Sequence, residues 1–148
     1  MVNSVYIYDS ITDWSIVRSS FLDPNFDPTL TYVALEDGLP KGIAAGAVRT
    51  KEPKELISTE HSWLKLVAIA PDYLDRGLGD ELLGELESDL REMGFKDVRA
   101  TDFAGWQIFP GINVRSETML SFLMRRGYRK TSEIVKSTME FTISEVFR

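Results

Sequence analysis

The sequence contains no cysteine, which excludes a disulfide framework, thiolate catalysis and zinc-finger ligand sets. Its one histidine, His61, excludes a metal site built from several imidazoles. Long apolar runs are also missing. The most apolar block, residues 66–70, is strand length and falls far short of the roughly 18–20 residues that a membrane-crossing helix needs. The opening MVNSVYIYDS has neither the basic start nor the apolar block of a secretory leader, so a cytoplasmic chain is expected. Positive charge is in deficit, with 17 Lys and Arg against 23 Asp and Glu, a net charge of −6 and a pI near 4.8. That balance argues against nucleic-acid binding, which needs clustered cations to neutralise phosphates. An acidic surface suits a cationic partner such as an amine.

There is no internal repeat, low-complexity tract or Gly/Ser linker, and 148 residues is the size of one domain, residues 1–148. Such a chain buries roughly two thirds of its unfolded surface and can build its own core. Residues 5–8 read as a short strand. Ile11, Trp14, Val17, Phe21 and Leu22 recur at helical spacing until Pro24 and Pro28 break the pattern. Residues 31–35 and 42–49 read as a hairpin joined by residues 36–40. Its second strand is so rich in Gly and Ala that something must approach it closely. Residues 51–58 read as a loop and residues 62–70 as a central, nearly all-apolar strand.

The strongest periodic signal follows: Leu78, Leu82, Leu83, Leu86, Leu90 and Met93 form one face of a helix, with Asp80, Glu81, Glu85 and Asp89 on its wet side. Gly94 suits a left-handed cap. Residues 96–103 read as a strand, residues 103–114 as a loop made apolar by Trp106, Ile108, Phe109 and Ile112, and residues 116–126 as a helix stopped by Gly127. Strands at 128–129 and 134–143 complete a β-α-β-β-β-α-β-α-β-β order, an α/β sandwich with a mixed sheet.

Chemistry is expected on LVAIAPDYLDRGLGDELL, residues 66–83. A buried strand runs into a turn with two glycines, and a helix begins at once. The first turn of a helix has unpaired N–H groups and a positive dipole end, and glycine lets a bulky anion reach the backbone. Arg76 adds a cation. Glycines also occur in such turns for steric reasons alone, so the turn by itself leaves anion binding and plain geometry both open. A dinucleotide fingerprint would need glycine at position 82, where the chain has Leu82. The Gly-Lys-Ser/Thr of a P-loop is absent.

This stretch resembles the coenzyme-binding motif of the GNAT superfamily, the acetyl-CoA-dependent N-acetyltransferases. The order of elements matches over essentially the whole chain. The resemblance extends to residues 109–113 and to residues 122–128, a helix ending in Gly and an aromatic. It implies a mostly antiparallel sheet of six or seven strands flanked by helices and splayed at its central strands. It implies that backbone groups of Val67, Ala68 and Ile69 pair with the pantetheine arm, one N–H facing the thioester carbonyl. It further implies that Asp75, Arg76, Gly77, Leu78, Gly79 and Asp80 wrap the diphosphate. No metal is implied, and a homodimer through the C-terminal strand is compatible with it.

The chain departs from that family's pattern at three places. Leu74 stands where the motif opens with Gln or Arg. Asp75 and Asp80 bring negative charge towards a diphosphate. Aligned on Gly127, Ser116 and Leu123 stand where relatives carry an Asn that touches coenzyme and a Tyr that protonates the leaving thiolate.

An alkylammonium with a pKa near 10.4 must lose a proton before it attacks a thioester. His61, just before the central strand, is the one side chain with an intrinsic pKa near neutrality, and Glu60 is its neighbour. On strict alternation His61 shares a face with Trp63, Lys65, Val67 and Ile69. His61 and Glu60 are the candidate catalytic pair, with Asp102 behind them. Each also reads as a solvated surface group. Lys65 inside an apolar strand either pairs with a carboxylate or lines a cleft, and Trp106 and Phe109 either line an acceptor pocket or cover the core.

Two functions follow. One is an N-acetyltransferase that moves the acetyl group of acetyl-CoA directly to a primary amine, since no cysteine or G-x-S-x-G serine is present to hold it. The other is a catalytically weak or silent domain of the same fold that binds acyl-CoA as a sensor or interaction module. An unrelated α/β nucleotide-binding protein is disfavoured by Leu82.

Overall fold

A computed structural model describes residues 12–51, 54, 57–101, 103 and 111–131. The expected strands at 5–8 and 134–143, Asp102, Trp106 and Phe109 lie outside the described residues. The chain gathers into two compact units, residues up to Glu117 and residues from Thr118 onward.

In the first unit, helix α1 spans Asp13–Phe21 and is opened by a capping box in which Thr12 and Ser15 bond each other's backbone N–H. The helix stands where the spacing put it, but Trp14 and Val17 are exposed, while Ser19 is buried. Strands β1 (Thr31–Glu36), β2 (Leu39–Val48), β3 (His61–Ile69) and β4 (Asp97–Ala100) form one sheet in that order. β1, β2 and β3 are antiparallel neighbours, and β4 joins β3 in parallel, so the sheet is mixed.

The hairpin turn is tighter than the sequence suggested. Asp37 and Gly38 both have positive φ, 51° and 76°, which is a two-residue turn of the mirror-image class that matches strand twist. Leu39 and Pro40 therefore belong to β2 rather than to the turn. The strand expected over 96–103 holds the ladder only over Asp97–Ala100.

Helix α2, Leu78–Glu92, packs on β1, β2 and β3 through Leu82, Leu83, Leu86 and Leu90, all buried. The Gly/Ala character of β2 is explained here. A Cβ at Gly42 would sit 2.7 Å from Leu82 Cδ1, and one at Gly46 would sit 2.6 Å from Leu86 Cδ1. Tyr32 of β1 also donates its hydroxyl to Asp89 of α2, and that bond pushes the phenol up to about 12. α2 ends as expected at Gly94: the Phe95 N–H reaches Leu90 O and the Gly94 N–H reaches Arg91 O, a Schellman closure.

Helix α3 (Glu117–Arg125), which belongs to the second unit from Thr118 onward, closes the same way. Tyr128 donates to Leu123 O and Gly127 to Met124 O. Of residues 128–129, expected as strand, Tyr128 is a donor of that cap and neither is in a strand.

Candidate functional site

Two irregularities in β3 and β4 create the site. In the ladder between β2 and β3, Ala45 faces Leu66 but Gly46 faces Leu64, so Lys65 is an extra residue, a β-bulge. The bulge reverses the alternation midway. Gly42 and Gly46 of β2 both face α2, and their partners are Ile69 and Leu64. The expected single face of His61, Trp63, Lys65, Val67 and Ile69 is therefore broken at Lys65: Val67 and Ile69 look towards α2, while His61 and Trp63 lie on the other side. Bulges cluster beside active sites because they re-aim side chains and end pairing.

The second irregularity is in β4. Its parallel pairing with β3 covers only His61–Leu64 against Asp97–Ala100. Thr101 then donates its N–H to Leu64 O at 2.8 Å while taking a φ of 64°, a left-handed conformation rare for a β-branched residue. β3 runs on to Ile69, past the end of its described ladder with β4. The Ala70 N–H bonds back to Lys41 O of β2, so strand alternation points the Ile69 N–H the other way, to the side β4 has left. Val67, Ala68 and Ile69 are thus the buried part of β3 beyond its pairing with β4.

Beyond Ile69 the chain makes a short 3-10 turn over Pro71–Tyr73 and enters α2. Gly77 is the N-cap with a φ of 79°, a conformation that glycine adopts without penalty, and a Cβ there would meet nothing within 4 Å. The backbone at the helix entrance is consequently open to a large group. Asp75, Arg76 and Asp80 are exposed, and Gly79 is buried beneath them. Arg76 lies 4.7 Å over the Tyr73 ring, and Lys41 Nζ lies 5.0 Å from the same ring. Tyr73 in turn donates its hydroxyl to Glu36, a bond that raises the phenol above its ordinary value. Arg76 and Lys41 thus both lie against Tyr73 just before the helix entrance, and Lys41 also pairs with Glu36 at 4.0 Å. Tyr73 and Lys41 were not singled out from sequence. Their signal is chain-distant, since Lys41 reaches the site through the hairpin.

At the other end of β3, His61 Nδ1 is 2.7 Å from Asp97 Oδ2. Register explains this, because His61 and Asp97 are opposed in the parallel ladder. Glu60 is exposed in the bend before β3 and has its N–H on Ser58 Oγ, so the carboxylate against His61 is Asp97 rather than Glu60. Lys65 pairs with Asp23, as one of its two readings required, and both are buried. Burial holds Lys65 below the ordinary lysine value while Asp23 opposes that fall. Lys65 Nζ also lies 4.7 Å from the Phe103 ring, which packs edge-to-face on Trp63. Trp63 is core, as expected. Leu123 of α3 is buried, and Ser116 is half-buried. Among the described residues no group of three or more His, Cys, Asp or Glu could hold a metal, and no helix is long and apolar enough to cross a membrane.

Residues 5–105 match the model of the acetyltransferase (GNAT) family. No curated protein matches. The fold is similar to that of an aminoglycoside acetyltransferase, meta-AAC0020, from an uncultured soil metagenomic sample, solved with trehalose. The TM-score is 0.61 at 16% identity, over 95% of this chain and 83% of that one. It is also similar to AAC(6')-Iy in complex with the bisubstrate analogue CoA-S-monomethyl-acetylneamine, with a TM-score of 0.55 at 14% identity over 75% and 69% of the two chains. A Trypanosoma brucei acetyltransferase gives 0.52 at 20% identity over 74% and 68%. At these identities the likeness is one of fold.

Proposed function

Because the chain belongs to the acetyltransferase (GNAT) family, we propose that it transfers the acetyl group of acetyl-CoA directly to a primary amine. The observation that carries this reading is the pairing of a splayed strand with an open helix entrance. β4 leaves β3 at Leu64, and beyond Ile69 a short turn over Pro71–Tyr73 leads to the glycine-capped start of α2, with Arg76 beside the cap. We read residues 1–148 as one such domain, which the family match over residues 5–105 supports.

The residues fit the cosubstrate. Acetyl-CoA supplies the activated carbonyl. The backbone of Asp75, Arg76, Gly77, Leu78, Gly79 and Asp80 binds its diphosphate, where helix-entrance N–H groups and the Arg76 guanidinium favour an anion. Val67, Ala68 and Ile69 take the pantetheine arm as a substitute strand along the side that β4 has left. A backbone N–H there, aimed at the thioester oxygen, stabilises the negative charge that develops on it.

His61 accepts the amine's proton, with the Asp97 carboxylate beside its Nδ1 and Glu60 exposed one residue before it. Four residues of strand, roughly 13 Å, separate His61 from the bulge, so the proton reaches it through water. No carboxylate cluster or cysteine is needed, since the amine itself is the nucleophile.

The test is thiol release from acetyl-CoA with a panel of amines, beginning with aminoglycosides because several structural neighbours are described as aminoglycoside acetyltransferases. Release that depends on one class of amine supports the proposal. Leu123 favours a second reading, a domain that binds acyl-CoA without turnover, because a buried leucine cannot protonate a departing thiolate. That reading predicts cosubstrate binding with no amine-dependent release.

A further inference from the structure

The bulge that splays the sheet also floors a cavity, on the face of the sheet opposite α2. Lys65 and Leu66 of β3 and Ile43 and Ala45 of β2 form its floor, and Ile16 of α1 and Phe26 roof it. Its volume is about 80 Å3, several times what a single water molecule needs.

The charge pattern decides what it can hold. Asp23, the carboxylate paired with Lys65, already accepts from Lys65 Nζ and from the N–H and side-chain amide of Asn25. Arg49 adds a second positive field at Lys65. An ammonium entering here would meet Lys65, and the described residues lining the cavity include no carboxylate to balance it. Ser20, Asn25 and Thr31 also line the cavity, but a hydrated polar group would leave water for walls made mostly of Ile16, Phe26, Ile43, Ala45 and Leu66, at a cost that only new hydrogen bonds offset. A compact uncharged aliphatic group loses nothing on entry and gains by burial.

The position of the cavity then names the source of that group. If the diphosphate sits at the start of α2 and the pantetheine arm runs back along Ile69, Ala68 and Val67, the thioester arrives at Leu66 and Lys65. These two residues line the cavity. We infer that the cavity is an acyl-chain pocket, so that the donor range extends past acetyl-CoA to short unbranched acyl-CoAs such as propionyl-CoA and butyryl-CoA. This inference rests on the acyl-CoA reading of the site proposed above.

The two readings fail differently in one experiment. Dissociation constants are measured for CoA, acetyl-CoA, propionyl-CoA and butyryl-CoA with the native chain, with Ala45→Val, which fills the cavity, and with Ile43→Val, which enlarges it. Melting of each free variant checks that it folds. The pocket predicts about fourfold tighter binding for each added methylene in the native chain. It predicts loss of that gain in Ala45→Val, and an undiminished or larger gain for butyryl-CoA in Ile43→Val. Equal affinities for all acyl-CoAs, or a gain that survives in folded Ala45→Val, overturn the pocket while leaving CoA binding intact. Failure of CoA itself to bind overturns the proposed function and the pocket together. If Ala45→Val does not fold, the native and Ile43→Val series decide, and a flat series in both overturns the pocket.

Discussion

The N–H of Thr101 donates to the carbonyl of Leu64 across 2.8 Å, and on either side of that bond the two strands stop behaving as a ladder. On the β3 side the next residue, Lys65, is the bulge. On the β4 side Thr101 itself has turned left-handed. A β-branched residue in that conformation carries strain on the order of 1–3 kcal/mol, which the surrounding structure must hold. The opening of the sheet is therefore a consequence of two local backbone departures joined by one hydrogen bond.

Thr101 also has a buried hydroxyl with no hydrogen-bond partner among the described residues. Removing an unsatisfied buried hydroxyl while keeping the side-chain shape is neutral or stabilising. Thr101→Val should therefore leave the urea midpoint unchanged or raise it, by up to about 1 kcal/mol of stability. A loss greater than about 1 kcal/mol would show that the hydroxyl has a partner the account omits.

Gly46 faces Leu86 so closely that a methyl group has no room. Gly46→Ala should cost roughly 1–3 kcal/mol, as overpacking does. Because the clash is with one side chain, the pair Gly46→Ala with Leu86→Ala should lose less than the sum of the single losses. Additive losses in denaturant unfolding would contradict a direct clash.

The Lys65–Asp23 pair should respond asymmetrically. Asp23→Ala leaves a buried ammonium uncompensated and should cost about 3–5 kcal/mol, whereas Lys65→Met, of similar shape, should cost far less. The pH dependence has a definite sign. Burial holds Lys65 below its ordinary 10.5, so between the folded value and 10.5 the unfolded chain binds more protons. Stability from this group therefore rises with pH in that window. Melts of the native chain and of Lys65→Met, compared from neutral pH towards 10, should show the native chain gaining on the variant. A widening gap in favour of the variant would reverse the sign and contradict the assignment.

Arg76 is exposed, stacked on Tyr73, and adjacent to the Gly77 cap. Arg76→Glu should leave the melting temperature of the free chain nearly unchanged, as surface substitutions do, while weakening acetyl-CoA binding about tenfold or more. Calorimetric titration separates the two effects. Unchanged affinity would remove the diphosphate from this end of α2.

Much of this was legible in the sequence for physical reasons. The leucine spacing fixed the face that α2 buries, and Gly42 and Gly46 announced a close approach because a strand gives up side chains only where a neighbour needs the room. Gly94 and Gly127 announced helix ends because both close with left-handed caps. The bulge at Lys65 was not legible, since it is a property of register between two strands and leaves no mark in either one alone. For the same reason Asp97 was missed and Glu60 preferred: sequence neighbours alternate away from each other, while residues opposed in a ladder meet. Trp14 and Val17 followed the helix period yet are exposed, because periodicity shows that a helix forms and not which face is covered.

The claim on which the rest depends is that the splayed strand and the glycine-capped helix bind acetyl-CoA. It is tested most directly by melting the chain with and without millimolar acetyl-CoA, with NAD as control. Ligand at about one hundred times its dissociation constant adds roughly 2.7 kcal/mol, a rise of several degrees for a domain of this size. The account predicts that rise with acetyl-CoA and none with NAD. An unchanged melting temperature with acetyl-CoA, or an equal rise with NAD, would contradict it.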